Sequence, residues 1–327
     1  MQSQLIDNYQ RRFEYLRLSI TDLCNFRCQY CLPSGYQTNE NRNCYLSLTE
    51  ITNLVMAFGQ LGVKKVRLTG GEPTLRRDFD SILATIAQHP SIVDIALTTN
   101  GSRLVNRISQ WQALGLTSLN VSVDSFSPKM FHVITGENKL EPILLGIDKA
   151  IEVGINNIKL NAVLMRGLND DIYPALEWIK TRPVDLRFIE LMETSQGKDY
   201  FSRFHLSGQV IENKLIAEGW QLLPPKALAG PAKVFKHADY AGKIGLIMPY
   251  SKDFCQTCNR LRVSAIGQLH YCLFGESAVN LRDLLQNRDD QQALKLRILT
   301  ALKVKPESHF LQQHKTGLSQ NLSYIGG

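Results

Sequence analysis

Cys24, Cys28 and Cys31 stand in a CxxxCxxC pattern, within Cys24-Asn25-Phe26-Arg27-Cys28-Gln29-Tyr30-Cys31. Three thiolates this close on one loop can hold three corners of a 4Fe-4S cube. No fourth cysteine stands at ferredoxin spacing, so one iron is left open to a small molecule, as an open zinc site is to water. Half of a zinc site is the competing reading. Zinc ribbons use paired CxxC knuckles, which the CxxxC spacing disfavours. A second group repeats the shortage: Cys255 and Cys258 form a CxxC, and Cys272 follows at a distance. A zinc there has to recruit His270 or His237 as fourth ligand. Arg260 and Arg262 follow Cys258 on a strand-like run, two apart and therefore on one face. Two guanidiniums beside a metal cluster suit a charged substrate, and a structural zinc does not require them.

These residues need a scaffold, and its pattern is regular. The first triplet follows an apolar, strand-like run at 15–20. Ser47 and Glu50 then make a capping box, with Ile51, Leu54, Val55, Phe58 and Leu61 at helical spacing and Gly62 as the stop. Further strands are expected at 66–68, 95–98, 119–123, 158–163 and 186–189. Helices are expected between them at 79–87, 104–114, 143–153 and 172–179. Six strands alternating with helices imply parallel pairing and right-handed crossovers. A closed eight-stranded barrel needs two more units, so the pattern predicts an α/β fold, a partial six-unit (β/α) barrel. A doubly wound open sheet is the alternative. In either, ligands are expected beyond the C-terminal ends of the strands. A polar stretch at 193–204 marks a boundary. Residues 1–193 form the barrel. Residues 194–327 form a smaller mixed region with a helix at 210–218, turns at 224–231, a strand-like run at 244–248 and a last helix at 291–302.

With 327 residues and 44% apolar side chains, a sizeable core is expected. No uninterrupted apolar run of membrane-spanning length occurs, and residues 1–12 are polar, without the apolar stretch of a signal peptide. A cytoplasmic location follows, where seven cysteines are metal ligands or thiols rather than disulfides. The net charge of +7 suits a polyanion. No dense Lys/Arg run with interleaved aromatics appears, so neither nucleic acid nor membrane is an expected partner. The basic residues recur singly at strand ends, as a pocket for an anionic small molecule needs. Cys44 reads as a free thiol, the loop at 34–43 has no assignable role, and the seven histidines show no metal-like spacing.

Gly70-Gly71-Glu72-Pro73 stands where a strand meets a helix, one βα unit after the first triplet. Glycines there let the backbone approach a ligand closely. Short polar residues end the next two strands, in Thr98-Thr99-Asn100-Gly101 and at Ser122 and Asp124, and suit ribose or carboxylate recognition. CxxxCxxC followed by GGEP resembles the radical S-adenosylmethionine (SAM) enzymes. Both cysteine groups together, with Leu16-Arg17-Leu18-Ser19-Ile20-Thr21-Asp22, Lys65-Val66-Arg67-Leu68-Thr69, Phe254 to Arg262 and the terminal Gly326-Gly327, resemble one family within them. It is the GTP 3',8-cyclase family of molybdenum cofactor biosynthesis.

The resemblance implies roles for named residues. Cys24, Cys28 and Cys31 would hold the SAM-binding 4Fe-4S cluster. Cys255, Cys258 and Cys272 would hold a second 4Fe-4S cluster, whose open iron binds the guanine of GTP. Tyr30, Gly71, Ser122 and Met192 match SAM-contacting positions. Arg17, Arg67, Thr98, Lys159, Arg260, Leu261 and Arg262 match GTP-binding positions. Arg17, Arg260, Arg262 and the tail Gly326-Gly327 would serve catalysis. The implied partners are a flavodoxin or ferredoxin-like electron donor, cyclic pyranopterin monophosphate synthase as recipient of the product, and a second copy in a homodimer. A triphosphate needs convergent cations, and Arg17, Arg67 and Lys159 lie on three different strands. No GxxxxGK[ST] loop occurs, so a P-loop nucleotidase is excluded. The rivals are a two-cluster radical SAM enzyme acting on a peptide and a zinc-stabilised nucleic-acid-binding protein. The expectation common to the whole reading is that both triplets face one cavity.

Overall fold

Alternation within each strand builds the fold. In β1 (Tyr15–Ser19), Leu16 and Leu18 are fully buried on one face, while Tyr15 and Arg17 take the other. The same division runs through β2 (Lys65–Thr69), β3 (Asp94–Thr99), β4 (Ser118–Ser122), β5 (Asn157–Leu164) and β6 (Asp185–Glu190). All six pair in parallel, in chain order. The apolar faces lie under the helices α1 (Leu48–Gln60), α2 (Phe79–Ala87), α3 (Leu104–Ala113), α4 (Pro128–Thr135), α5 (Leu140–Glu152) and α6 (Tyr173–Ile179). The expected capping box is present: Glu50 N–H donates to Ser47 Oγ, and the Glu50 carboxylate accepts from Ser47 N–H. The computed structural model describes residues 4–37, 45–224, 230–275 and 277–317.

The chain after β6 joins the same sheet. It forms α7 (Lys198–Phe204), α8 (Gly208–Ala217), β7 (Gln221–Leu222), β8 (Lys233–Lys236), β9 (Lys243–Ile247), β10 (Arg260–Val263), β11 (Gln268–His270), β12 (Ala278–Asn280) and α9 (Gln291–Lys303). Strand β9 adds parallel to β6, and β10 adds parallel to β1. The expectation of six parallel strands is therefore extended to eight, the last two supplied by the C-terminal region at opposite edges. Among the described residues no ladder joins β9 to β10, so the barrel is open at that seam. The segment 248–258 crosses from the C-terminal end of β9 to the N-terminal end of β10 and carries Cys255 and Cys258 with it.

Candidate active site

The chain leaves β1 at its C-terminal end and enters the first cysteine loop. Two glycines let the next strand end abut it. A Cβ on Gly70 would lie 2.1 Å from Thr21 O, and one on Gly71 2.4 Å from Leu23 O. In their place Gly71 N–H donates to Thr21 O at 2.9 Å and Glu72 N–H to Leu23 O at 2.7 Å. On the far side Arg27 and Gln29 N–H donate to Thr135 and Ile134 O at the end of α4, and Cys31 and Leu32 N–H close a turn on Cys28 O. Burial pushes the Cys24 thiol up to about 11, and burial with Asp124 nearby pushes Cys28 well above its ordinary range. Such thiols stay protonated until a metal takes them.

The Glu72 side chain, fully buried, binds this loop to the next two strands. It accepts from Thr74 N–H and Oγ, Thr99 Oγ (2.8 Å) and Asn100 N–H (2.6 Å). Replacing Glu72 with Ala strands these donors in the interior. Glu72→Ala is expected to lose about 3 kcal/mol of stability, read as a lower urea midpoint at unchanged slope.

Tyr30 Oη donates to Asp124 at 2.9 Å, and Val163 N–H donates to the same carboxylate. Burial raises Asp124 to about 6 despite these donors. Tyr30, Cys31 and Met192 pack against one small apolar cluster with Leu273 and Phe274, the residues just after Cys272. Ser122 ends β4 beside Asn161 of β5. The first triplet and the chain carrying the second thus share an apolar contact across the open seam.

The second triplet lies at the opposite end of the barrel from the first. Cys255 and Cys258 precede β10, whose Arg260 is level with Tyr15 at the start of β1. Cys272 follows β11, which runs antiparallel to β10. The length of β1, about 16 Å at ~3.3 Å per residue, therefore separates the two triplets along the barrel axis. The expectation that the chemically interesting residues cluster at the strand C-termini is not met by the second triplet. The reason is topological: β10 enters from the C-terminal region, so its preceding loop falls at the N-terminal face.

Between the triplets the strands face inward with cations. Arg262, Arg17 and Arg67 are consecutive across β10, β1 and β2. They are 7%, 6% and 9% exposed. Thr98, Asn120 and Lys159 are consecutive across β3, β4 and β5. These side chains sit within strands rather than at strand ends, and they line a lumen rather than a mouth. Arg187 of β6 faces the same space and was not singled out from sequence. The signal is Gly245 opposite it on β9, where a Cβ would lie 3.0 Å from Arg187 Cγ. Ion pairs occupy Lys65 with Asp94 and Lys243 with Asp185. Among the described residues none involves Arg67, Arg187, Arg260 or Lys159.

The electrostatic consequences are consistent. Burial lowers Arg262 to about 10, with Arg260 adding to it, and lowers Arg187 to about 10, with Arg67 adding to it. The Tyr15 hydroxyl is buried, yet Arg67, Arg17, Lys65 and Arg260 together draw its phenol below the ordinary value. Buried Tyr15 Oη, Arg67 Nε, Arg187 Nε, Thr98 Oγ and Asn120 Oδ1 have no hydrogen-bond partner among the described residues. Buried polar atoms of this number, beside cations such as Arg67 and Arg187 that enter no ion pair among the described residues, suit a polyanionic polar ligand.

A Radical SAM superfamily model matches residues 18–179, and a Molybdenum Cofactor Synthesis C model matches residues 184–311. A GTP 3',8-cyclase of Haemophilus influenzae (strain PittEE) is 54% identical over 327 residues, 100% of this chain and 97% of that protein. The GTP 3',8-cyclase of Yersinia pestis is 55% identical over 325 residues, 99% of both chains. This chain belongs to the GTP 3',8-cyclase family. Its fold is shared with Streptococcus suis SuiB bound to S-adenosylmethionine, at a TM-score of 0.60 and 12% identity, over 86% of this chain and 68% of that one. It is shared also with anSMEcpe, at a TM-score of 0.56 and 12% identity, over 87% and 83%.

Cyclases of this family are radical SAM enzymes that carry two 4Fe-4S clusters. The residues here fit those groups. Each end of the lumen offers three thiols outside any disulfide, and within each triplet they lie close enough to act on one another: Cys24 and Cys31 on Cys28, and Cys258 on Cys272. Of the proposed zinc ligands, His237 packs against Trp220 and Tyr240, two rings that also contact each other. Leu261 turns away from the lumen into the core at 1% exposure, leaving only its backbone to meet a ligand. Cys44, Gly326, Gly327 and positions 38–43 of the 34–43 loop lie outside the described residues. No helix among the described residues is long and apolar enough to cross a membrane.

Proposed function

We propose that this cyclase converts GTP to 3',8-cyclo-7,8-dihydro-GTP, the first step of molybdenum cofactor biosynthesis, with the nucleotide lying along the cationic lumen between the two triplets. The observation that carries this reading is the row of cations facing one lumen from the second triplet onward, among which Arg67, Arg187, Arg260 and Lys159 enter no ion pair among the described residues. Cys24, Cys28 and Cys31 hold the SAM-binding cluster, and Cys255, Cys258 and Cys272 hold the second one. When bound, the first cluster and SAM supply a 5'-deoxyadenosyl radical that removes one ribose hydrogen, and the second cluster anchors the guanine. The rest is done by side chains. Tyr30, held by Asp124, packs beside SAM together with Met192, while Gly71 and Ser122 present backbone and hydroxyl to it. Arg17, Arg67, Lys159 and Arg187 take the triphosphate, and Thr98 supplies a hydroxyl to the nucleotide. Arg260, the Leu261 backbone and Arg262 bind it next to the second triplet.

A nucleotide fixed at both ends presents a single ribose hydrogen. Such pre-orientation supplies several kcal/mol of the barrier. The lumen walls also exclude water, which keeps a reactive radical from side reactions. The tail Gly326-Gly327 completes the site, a role carried by its match to the family alone. The enzyme works in the cytoplasm, takes electrons from a flavodoxin or ferredoxin-like donor and passes its product to cyclic pyranopterin monophosphate synthase, as a homodimer. The family resemblance supports each of these. Mass spectrometry after anaerobic reaction with SAM, GTP and reductant tests the reading: 5'-deoxyadenosine and an isomer of GTP must both appear. SAM cleavage that GTP leaves unchanged, with no nucleotide product, would favour a peptide substrate.

Lys159 gives a second test. Burial, with Arg187, Lys65 and Arg67 close by, pushes its ammonium down to about 7. The folded chain then binds fewer protons than the unfolded chain between about 7 and the ordinary lysine value. The penalty is complete below about 7 and is relieved as pH rises. A triphosphate in the lumen restores the charge. GTP binding at pH 8 is therefore expected to take up close to one proton (~0.9), read by calorimetry in buffers of different ionisation enthalpy. Lys159→Met should abolish most of that uptake.

A further inference from the structure

The second triplet comes from two separate stretches of chain, Cys255/Cys258 before the β10–β11 hairpin and Cys272 after it, and one short segment meets both. Arg11 reaches the first stretch. Its guanidinium donates to Cys255 O at 3.1 Å, to Glu307 O at 2.6 Å and to Pro306 O at 2.8 Å. It is itself held by Asp7 at 2.7 Å, a buried and neutral pair. Lys305 reaches the second stretch, donating from Nζ to Tyr271 O, next to Cys272, at 2.6 Å. Ser308 Oγ lies 3.6 Å from Cys255 Sγ, and the His309 ring packs against Phe254 and Phe274 at 5.7 and 6.1 Å. Residues 305–309 are thus a hub to which both halves of the triplet are fastened.

Lys305 also carries a charge that the protein does not cancel. It is 5% exposed, with the Phe13 ring 5.5 Å away, and among the described residues no ion pair includes it. Its field reaches Cys258, Cys272 and His309. A buried ammonium without a carboxylate costs several kcal/mol unless an anion stands near it. Three thiolates or an anionic cluster supply that anion.

We propose that Arg11 and Lys305 are positioning residues for the second triplet, clasping its two halves to the 305–309 hub, with Lys305 also balancing the negative charge of the group held there. This rests on the reading that the triplet holds a cluster. Neither residue touches GTP or SAM in this account. Outer partners of metal ligands change metal retention by about 10- to 100-fold when removed.

The test uses the full chain with Cys24, Cys28 and Cys31 replaced by Ser, so that only the second triplet can hold iron. After anaerobic reconstitution, iron loss to bathophenanthroline disulfonate is followed optically. Lys305→Met and Arg11→Met should each lose iron about tenfold faster than the parent. Lys305→Arg, which keeps the charge and a donor, should return to within about twofold. Should Lys305→Met fail to fold by circular dichroism, Arg11→Lys serves: it keeps the charge but cannot bridge three carbonyls, and about threefold faster loss is expected. In chains with an intact first triplet, the Lys305→Met and Arg11→Met changes should leave SAM cleavage measured without GTP unaltered. Parental rates of iron loss in the folded variants would overturn the clasp. A parent that takes up no iron at the second triplet would overturn the cluster reading, and the clasp with it.

Discussion

Anaerobic Cys24→Ser protein is expected to make no 5'-deoxyadenosine, whereas Cys258→Ser is expected to go on cleaving SAM while releasing no cyclised nucleotide. The two thiols look equivalent by type but sit at opposite ends of the lumen. Cys24 follows the C-terminal end of β1 beside the glycine pair, and Cys258 precedes β10 next to Arg260 and Arg262. The length of β1, about 16 Å, lies between them. A damaged second triplet therefore leaves the SAM end standing, fastened by Thr21, Leu23, Thr135 and Ile134 to its own strands. A damaged first triplet removes the source of the radical. Mass spectrometry of both products on the same samples separates the cases. Equal loss of SAM cleavage in the two variants would contradict this division of labour.

Arg67→Met is expected to move stability and function in opposite directions. Arg67 is 9% exposed, its Nε has no partner among the described residues, and it stands beside Arg17 in the ladder and over the Tyr15 ring at 5.3 Å. Without ligand, removing one of several close like charges relieves repulsion and a desolvation cost. The ligand-free variant should gain about 1–3 kcal/mol in stability, within the range for replacing buried charges by apolar side chains. With ligand, the same change deletes a charge-assisted contact to a phosphate. GTP affinity should fall by about 2–4 kcal/mol, or about 30- to 1,000-fold. Chemical denaturation and equilibrium binding read the two effects. GTP should also raise the melting temperature of the parent more than that of the variant. An Arg67→Met protein that is less stable yet binds GTP normally would mean that this arginine supports the wall and not the ligand.

Much of this was legible because local chemistry announced it. The capping box at Ser47 and Glu50, the glycine pair and the cysteine spacings depend on neighbours in sequence, and the six βα units recur with their own periodicities. What escaped depends on partners far away in the chain. Strands β9 and β10 are short and have no crossover helix between them, so nothing local says that they add in parallel to β6 and β1. Their arrival places the second triplet at the N-terminal face, against the general rule for such barrels. Arg187 was missed for a related reason. Asp185, Arg187 and Ile189 alternate with buried Leu186 and Phe188, a pattern that a solvent-facing strand would share. A polar lumen and open water leave the same mark on a sequence, and only closure of the sheet tells them apart. Helix α4 is short and lacks a side-chain cap, so it escaped as well, although its last turn fastens the first cysteine loop.

Anomalous diffraction at the iron edge from anaerobic crystals grown with GTP tests the central claim most directly. The account predicts two iron peaks at opposite ends of one lumen, one at Cys24, Cys28 and Cys31 and the other at Cys255, Cys258 and Cys272. It also predicts nucleotide density between them against Arg17, Arg67, Lys159, Arg187 and Arg262. Nucleotide bound on the outer surface, or a single iron peak with zinc at the other triplet, would contradict it.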